Sequence, residues 1–74
     1  MAKPYNGHRS WNAWNVALWI GNDQWLYSLA LDCKLGRSAG AAARMFIREV
    51  GSDKTPDGAA YNVTCVREAL AGLE

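Results

Sequence analysis

Apolar positions recur at helical spacing in four stretches of this chain. In the first, Trp11, Trp14 and Leu18 fall at i, i+3 and i+7, with Asn15 on the same face, while Val16, Trp19 and Ile20 form a second apolar stripe. A helix apolar on two sides is expected to be central in its domain. Ser10 offers a hydroxyl to cap the start. Gly21-Asn22 is expected to end the helix after about Ile20, with Gly at the position past the C-cap. A second helix is expected from Asn22 or Asp23, either of which can cap it. Trp25, Leu26, Leu29, Ala30 and Cys33 lie on its inner side, and Lys34 followed by Leu35-Gly36 marks its end.

The third stretch opens at Ser38 and is rich in alanine. Ala42, Ala43, Phe46, Ile47 and Val50 make its apolar stripe, and Gly51 ends it. Residues 51–58 read as a loop, in which Pro56-Asp57-Gly58 is a turn signal: Pro presets φ and Gly takes positive φ. The fourth helix is expected from about Asn62 to Leu73, with Val63, Val66, Leu70 and Leu73 inward. Ala59-Ala60-Tyr61 leaves room for a short extended piece before it. Pro4 and Asn6-Gly7 make residues 1–9 an irregular lead-in. The pattern therefore predicts an all-α fold, a compact bundle of three to four short helices in one domain spanning residues 1–74.

All four tryptophans fall between Trp11 and Trp25. Each can bury roughly 150–250 Å², so they are expected to nucleate the core, with any incompletely buried ring a candidate interaction hot spot. Half of the 74 residues are hydrophobic, which argues for a folded domain rather than disorder. The formal net charge is +1. That speaks against a strongly basic nucleic-acid binder and against an acidic mimic of DNA. No apolar segment resembles a leader peptide or a membrane span, so the expected location is the cytoplasm, with no membrane association.

Catalytic chemistry is not legible. His8 is the sole histidine, and Cys33 and Cys65 are 32 residues apart, too far in sequence for a C-x-x-C site. Two buried thiols are the plain reading of those cysteines, with a single disulfide stapling two helices the alternative that sequence leaves open. Gly36-Arg-Ser-Ala-Gly40 leads into a helix N-terminus but lacks a phosphate-loop signature. The chain is expected not to be an enzyme and to use no metal or cofactor. The most suggestive polar cluster is basic. Lys34 and Arg37 precede the third helix, and Arg37, Arg44 and Arg48 follow at spacings of seven and four, so the set forms one stripe if the helix includes its entry turn. Such a stripe is either a solvated face or a contact for a phosphate backbone or an acidic protein surface, both of which suit the guanidinium fork.

The segment Asn6-Gly-His-Arg-Ser-Trp-Asn-Ala-Trp-Asn-Val-Ala-Leu-Trp-Ile-Gly-Asn-Asp23 resembles the N-x-x-T-W-N-V-x-L-W-I-x-N-D opening of small proteins carried by bacteriophages and plasmids. Thr55-Pro-Asp-Gly58 looks like a second shared segment. Their setting and size also resemble anti-CRISPR proteins directed at type I systems, subtype I-C among them. The resemblance implies a non-enzymatic inhibitor that binds the type I CRISPR surveillance complex and blocks target-DNA recognition or nuclease recruitment. It carries over no catalytic residue and assigns no binding face. Lys34, Arg37, Arg44 and Arg48 are the expected contact residues, in a monomer or weak homodimer. The competing expectation is a phage accessory protein that binds nucleic acid through the same stripe.

Overall fold

The computed structural model describes residues 10–73, which fold into four helices. They are α1 (Trp11–Asn22), α2 (Gln24–Lys34), α3 (Ala39–Val50) and α4 (Val63–Ala71). Each start is fixed by a side chain that accepts a hydrogen bond from an otherwise unpaired backbone N–H. Ser10 takes Ala13, Asp23 takes Leu26, Ser38 takes Ala41 and Asn62 takes Cys65. Gly36 and Gly51 follow α2 and α3 with φ of 68° and 78°, the left-handed backbone that L side chains avoid. The expected all-α bundle is the observed fold. The lead-in 1–9, with His8, lies outside the described residues.

The helices form a ring. Among the described residues, α1 packs on α2 and α4, α3 packs on the same two, and α2 touches α4 across the middle, while α1 and α3 lie diagonally without packing on each other. Phe46, Ile20, Leu70, Val16 and Val66 are the large fully buried apolar side chains. Phe46 meets Tyr61 edge to face, with ring centroids 5.7 Å apart, a favoured aromatic geometry. Buried alanines at 13, 30, 42, 43 and 69 let the helices approach closely. Cys33 and Cys65 are buried free thiols, and burial pushes the Cys33 thiol above its ordinary pKa, leaving little of the reactive thiolate.

Several expectations are corrected. None of the four tryptophans is buried. Trp11 and Trp25 are 40% and 58% exposed, and Trp14 and Trp19 are half-buried. The inner face of α1 is instead Ala13, Val16 and Ile20. α1 is a corner of the ring rather than its centre, because it packs on two helices and leaves the rest of its circumference outside the bundle. Gly21 lies inside α1, which continues to Asn22 and is capped at Asp23. It does not hold positive φ. Val63 is exposed at the first turn of α4, and Cys65 and Ala69 join Val66 and Leu70 on its buried side.

One flank of α1 is covered by the loop between α3 and α4. The loop is a small hairpin turn: Gly58 N–H donates to Thr55 C=O at 2.9 Å, Thr55 N–H donates to Ala59 C=O at 2.8 Å, and Lys54 and Ala60 form an antiparallel bridge. Gly58 has a φ of 96°. Asn12 Nδ2 donates to Ala60 C=O at 2.9 Å, and Ala60 N–H donates to Asn12 Oδ1 at 2.8 Å, so the carboxamide pairs like a neighbouring strand. Asn15, only 1% exposed, accepts from Thr55 Oγ1 at 2.6 Å and donates to Asp57 Oδ2 at 2.9 Å. Trp19 Nε1 donates to the same carboxylate oxygen at 2.9 Å. Ala59 N–H completes the set by donating to Thr55 Oγ1 at 3.0 Å. Among the described residues no buried side-chain N or O atom lacks a partner, as a buried polar network requires.

Candidate functional site

The basic residues of α3 gather along one shallow groove. Ala41, Arg44 and Arg48 follow one another at helical spacings of three and four, and Arg37 enters from the turn before the Ser38 cap. Arg37, Arg44 and Arg48 line a cleft of about 380 Å³ whose apolar floor is Ala41 and Met45. All three arginines are exposed. Arg37 is positioned by the end of α2, where its Nη1 lies 3.4 Å from the carbonyls of Asp32, Cys33 and Leu35. Helix C-termini leave such carbonyls without intrahelical partners, so Arg37 is held in place by the backbone it caps. Arg44 lies back over Gly40, where an added Cβ would stand 3.5 Å from its Nη1. Arg48 Nε is 3.9 Å from Glu49 Oε2, with the two side chains 72% and 54% exposed. A pair this open is worth little and leaves Arg48 available.

Lys34 does not line this groove. Its ammonium donates to the Leu73 carbonyl at 2.9 Å, where it ties the end of α2 to the end of the described chain. The stripe expected from sequence is therefore three arginines.

A model of a family of unknown function, DUF7249, matches residues 1–71. The chain belongs to that family. Comparison with curated proteins and with solved structures finds no match. DUF7249 membership spans both the Asn12–Trp19 flank of α1 and the Thr55–Gly58 turn, which the fold places against each other.

A second concavity of this DUF7249 chain, of about 500 Å³, lies between the start of α2, the end of α3 and the interhelical loop. Trp25, Pro56, Lys54, Asp23 and Tyr61 are among its walls. The Asp23 carboxylate there is engaged in capping α2, and burial, with Asp23 nearby, holds the Tyr61 hydroxyl above its ordinary pKa. Among the described residues no group of three or more His, Cys, Asp and Glu side chains is placed to hold a metal ion, and no helix is long and apolar enough to cross a membrane. What the arginine groove offers chemically is anion recognition over an apolar floor. Each guanidinium can fork onto a carboxylate or a phosphate, and Met45 and Ala41 can take an apolar group between them.

Sequence reading missed the polar clamp on α1. Its signal was Asn12 and Asn15 within an otherwise apolar helix, since a carboxamide on a covered face needs partners from elsewhere in the chain.

Proposed function

We propose that this chain is a non-enzymatic inhibitor that binds a type I CRISPR surveillance complex and blocks target-DNA recognition or nuclease recruitment, using Arg37, Arg44 and Arg48 as its contact face. The observation that carries the choice of face is that three exposed arginines, Arg37, Arg44 and Arg48, line one groove together with Ala41 and Met45. Arginine is enriched at the centres of protein interfaces, and an apolar floor adds a contact that a bare phosphate backbone does not need. The choice of partner rests on the resemblance of Asn6–Asp23 and Thr55–Gly58 to small phage and plasmid proteins.

The test is co-elution of the purified chain with a purified type I surveillance complex, paired with plaquing of a sensitive phage on a host with active type I immunity. The proposal expects stable co-elution and restored plaquing. Both are lost in the double variant Arg44→Glu, Arg48→Glu, while its circular dichroism stays that of the wild type. Failure to co-elute overturns the choice of partner, and full activity of the double variant overturns the choice of face. A gel shift of the isolated chain decides against the nucleic-acid alternative if no retention is seen. Three phosphate contacts would give a log–log salt slope of about −2.7, and retention with that slope would replace the proposal by nucleic-acid binding.

A further inference from the structure

We propose that the concavity between the start of α2, the end of α3 and the 52–61 loop binds a free guanine nucleotide. The feature that points to a ligand is the Tyr61 hydroxyl. Tyr61 is only 7% exposed, its ring meets Phe46 edge to face, and it forms part of the concavity wall. Its backbone N–H donates to Asp53 C=O at 3.0 Å, but its hydroxyl makes no hydrogen bond to a described residue. A buried tyrosine usually finds a partner for its O–H. Among the described residues no buried side-chain oxygen lacks a partner. The hydroxyl, which does lack one, is therefore the part of Tyr61 that meets open space, and the open space it lines is this concavity.

The groups around the hydroxyl select the ligand. The Asp23 carboxylate is near enough to disfavour ionisation of Tyr61. Its Oδ1 accepts from Leu26 N–H at 3.0 Å, which leaves its other oxygen to accept from a ligand. Lys54 is exposed on the loop side, and its ammonium pairs with no described residue. Trp25, 58% exposed, supplies the wall with Leu26, Val50 and Pro56. A bare anion would meet the Asp23 carboxylate, a simple cation would meet the Lys54 ammonium, and an apolar body alone would strand the hydroxyl and the carboxylate. A nucleotide answers all of these groups. Its base stacks on the indole, as unpaired bases do on aromatic side chains. Its phosphate is left for Lys54, a point charge suited to it. Guanine fits the polar end because its edge sets a carbonyl acceptor beside two N–H donors. Tyr61 O–H donates to O6, and Asp23 accepts from N1–H and N2–H. One ammonium serves one phosphate, so the fit is to a mononucleotide rather than to a strand. The volume of about 500 Å³ is within the range of small-molecule sites. This site is distinct from the α3 groove and does not depend on the function proposed for it.

Titration of 5′-GMP into the full chain, followed by amide and indole NMR shifts, tests the proposal. Saturable shifts are expected at the Trp25 indole N–H and at the amides of Asp23, Lys54 and Tyr61, and not at Arg44 or Arg48. Tyr61→Phe removes only the hydroxyl and is expected to weaken binding on the order of tenfold. Its urea midpoint should not fall, because the hydroxyl has no partner within the described chain. Asp23→Asn keeps an N-cap for α2 but loses the carboxylate, and is expected to weaken binding by a similar factor. Guanosine, which lacks the phosphate, should bind more weakly than GMP, and Lys54→Gln should remove that difference. The absence of saturable shifts in the wild type overturns the proposal, as does a Tyr61→Phe variant that binds GMP like the wild type. AMP binding as tightly as GMP overturns the choice of base, and a guanine-containing tetranucleotide binding more tightly than GMP overturns the choice of a free nucleotide.

Discussion

α1 and α3 are both 12 residues long and sit diagonally across the same ring, yet they divide their surfaces in opposite ways. α3 separates its sides sharply. Ala42, Ala43 and Phe46 are buried, and Arg44, Arg48 and Glu49 are exposed. α1 carries apolar side chains on nearly every side, and still only Ala13, Asn15, Val16 and Ile20 are buried. The reason is geometric. Each helix packs on the same two neighbours, so each can bury only the arc between them, whatever its composition. On α3 the apolar arc is little wider than the buried arc, with Met45, Ile47 and Val50 partly buried beside Ala42, Ala43 and Phe46. On α1 it exceeds it, and the surplus is met once by the polar clamp of the 52–61 loop and once by solvent. A high apolar count thus marks α1 as a helix with more contact surface than its own domain covers.

The sharpest way to break this comparison is to remove one large ring from each kind of position. Phe46 on α3 is fully buried against Tyr61, and Phe46→Ala is expected to cost about 3–5 kcal/mol, a large share of the stability of so small a domain. Trp25, 58% exposed at the start of α2, is the larger side chain, but Trp25→Ala is expected to cost about 1 kcal/mol or less. Urea unfolding followed by circular dichroism measures both. If the two costs were reversed, the core would be organised around the tryptophans after all.

The clamp is next in size. Asn15→Leu leaves Thr55 Oγ1 without its acceptor and Asp57 without one of its two donors. A buried hydroxyl or amide left unpaired costs about 1–3 kcal/mol, and that is the expected loss in urea. Thr55→Val alone should cost a similar amount. The double variant should lose less than the sum, because removing both partners leaves neither stranded. Additive losses would mean that the two side chains are not coupled as the 2.6 Å contact implies.

These residues also mark the limit of what the sequence discloses. Helix starts are legible at Ser10, Asp23, Ser38 and Asn62, because a cap acts on the turn that follows it and needs no distant partner. The inner faces of α3 and α4 are largely legible for the same kind of local reason: a clean apolar stripe has one orientation that buries it. α1 is not, since a helix apolar on several sides has several equivalent orientations. What chooses among them is Asn12 pairing with Ala60 and Asn15 with Thr55, partners 48 and 40 residues away. Lys34 leaves the basic stripe likewise, through a bond to Leu73 that spacing along one helix does not reveal.

A smaller effect is expected from pH. The hydrogen bonds from Asn15 and Trp19 hold the Asp57 carboxyl below its ordinary pKa of 3.8. A carboxylate whose folded pKa is depressed favours the folded state above its unfolded pKa, near about 3.9, and that contribution is lost as pH falls through the lower folded value. The urea midpoint should therefore decline as pH falls below the unfolded value of about 3.9, with Asp57→Asn declining less over the same range. A parallel decline in both proteins would place the responsible carboxylate elsewhere.

The least change in stability is expected on the α3 rim, the face proposed for binding. Arg44 and Arg48 are exposed, and the ion pair of Arg48 with Glu49 is a long contact. Exposed pairs of this kind contribute about 0–1 kcal/mol, and surface substitutions usually stay within about ±0.5 kcal/mol. The Arg48→Glu change sets a second carboxylate next to Glu49, but adjacent positions do not face each other on a helix. The urea midpoint of the Arg44→Glu, Arg48→Glu variant should hence stay near that of the wild type, while co-elution with the proposed partner falls. A midpoint that dropped as far as that of Asn15→Leu would mean that the arginines support the fold. The contrast with α1 would then fail, because α3 too would be using its outer face to hold its own domain together.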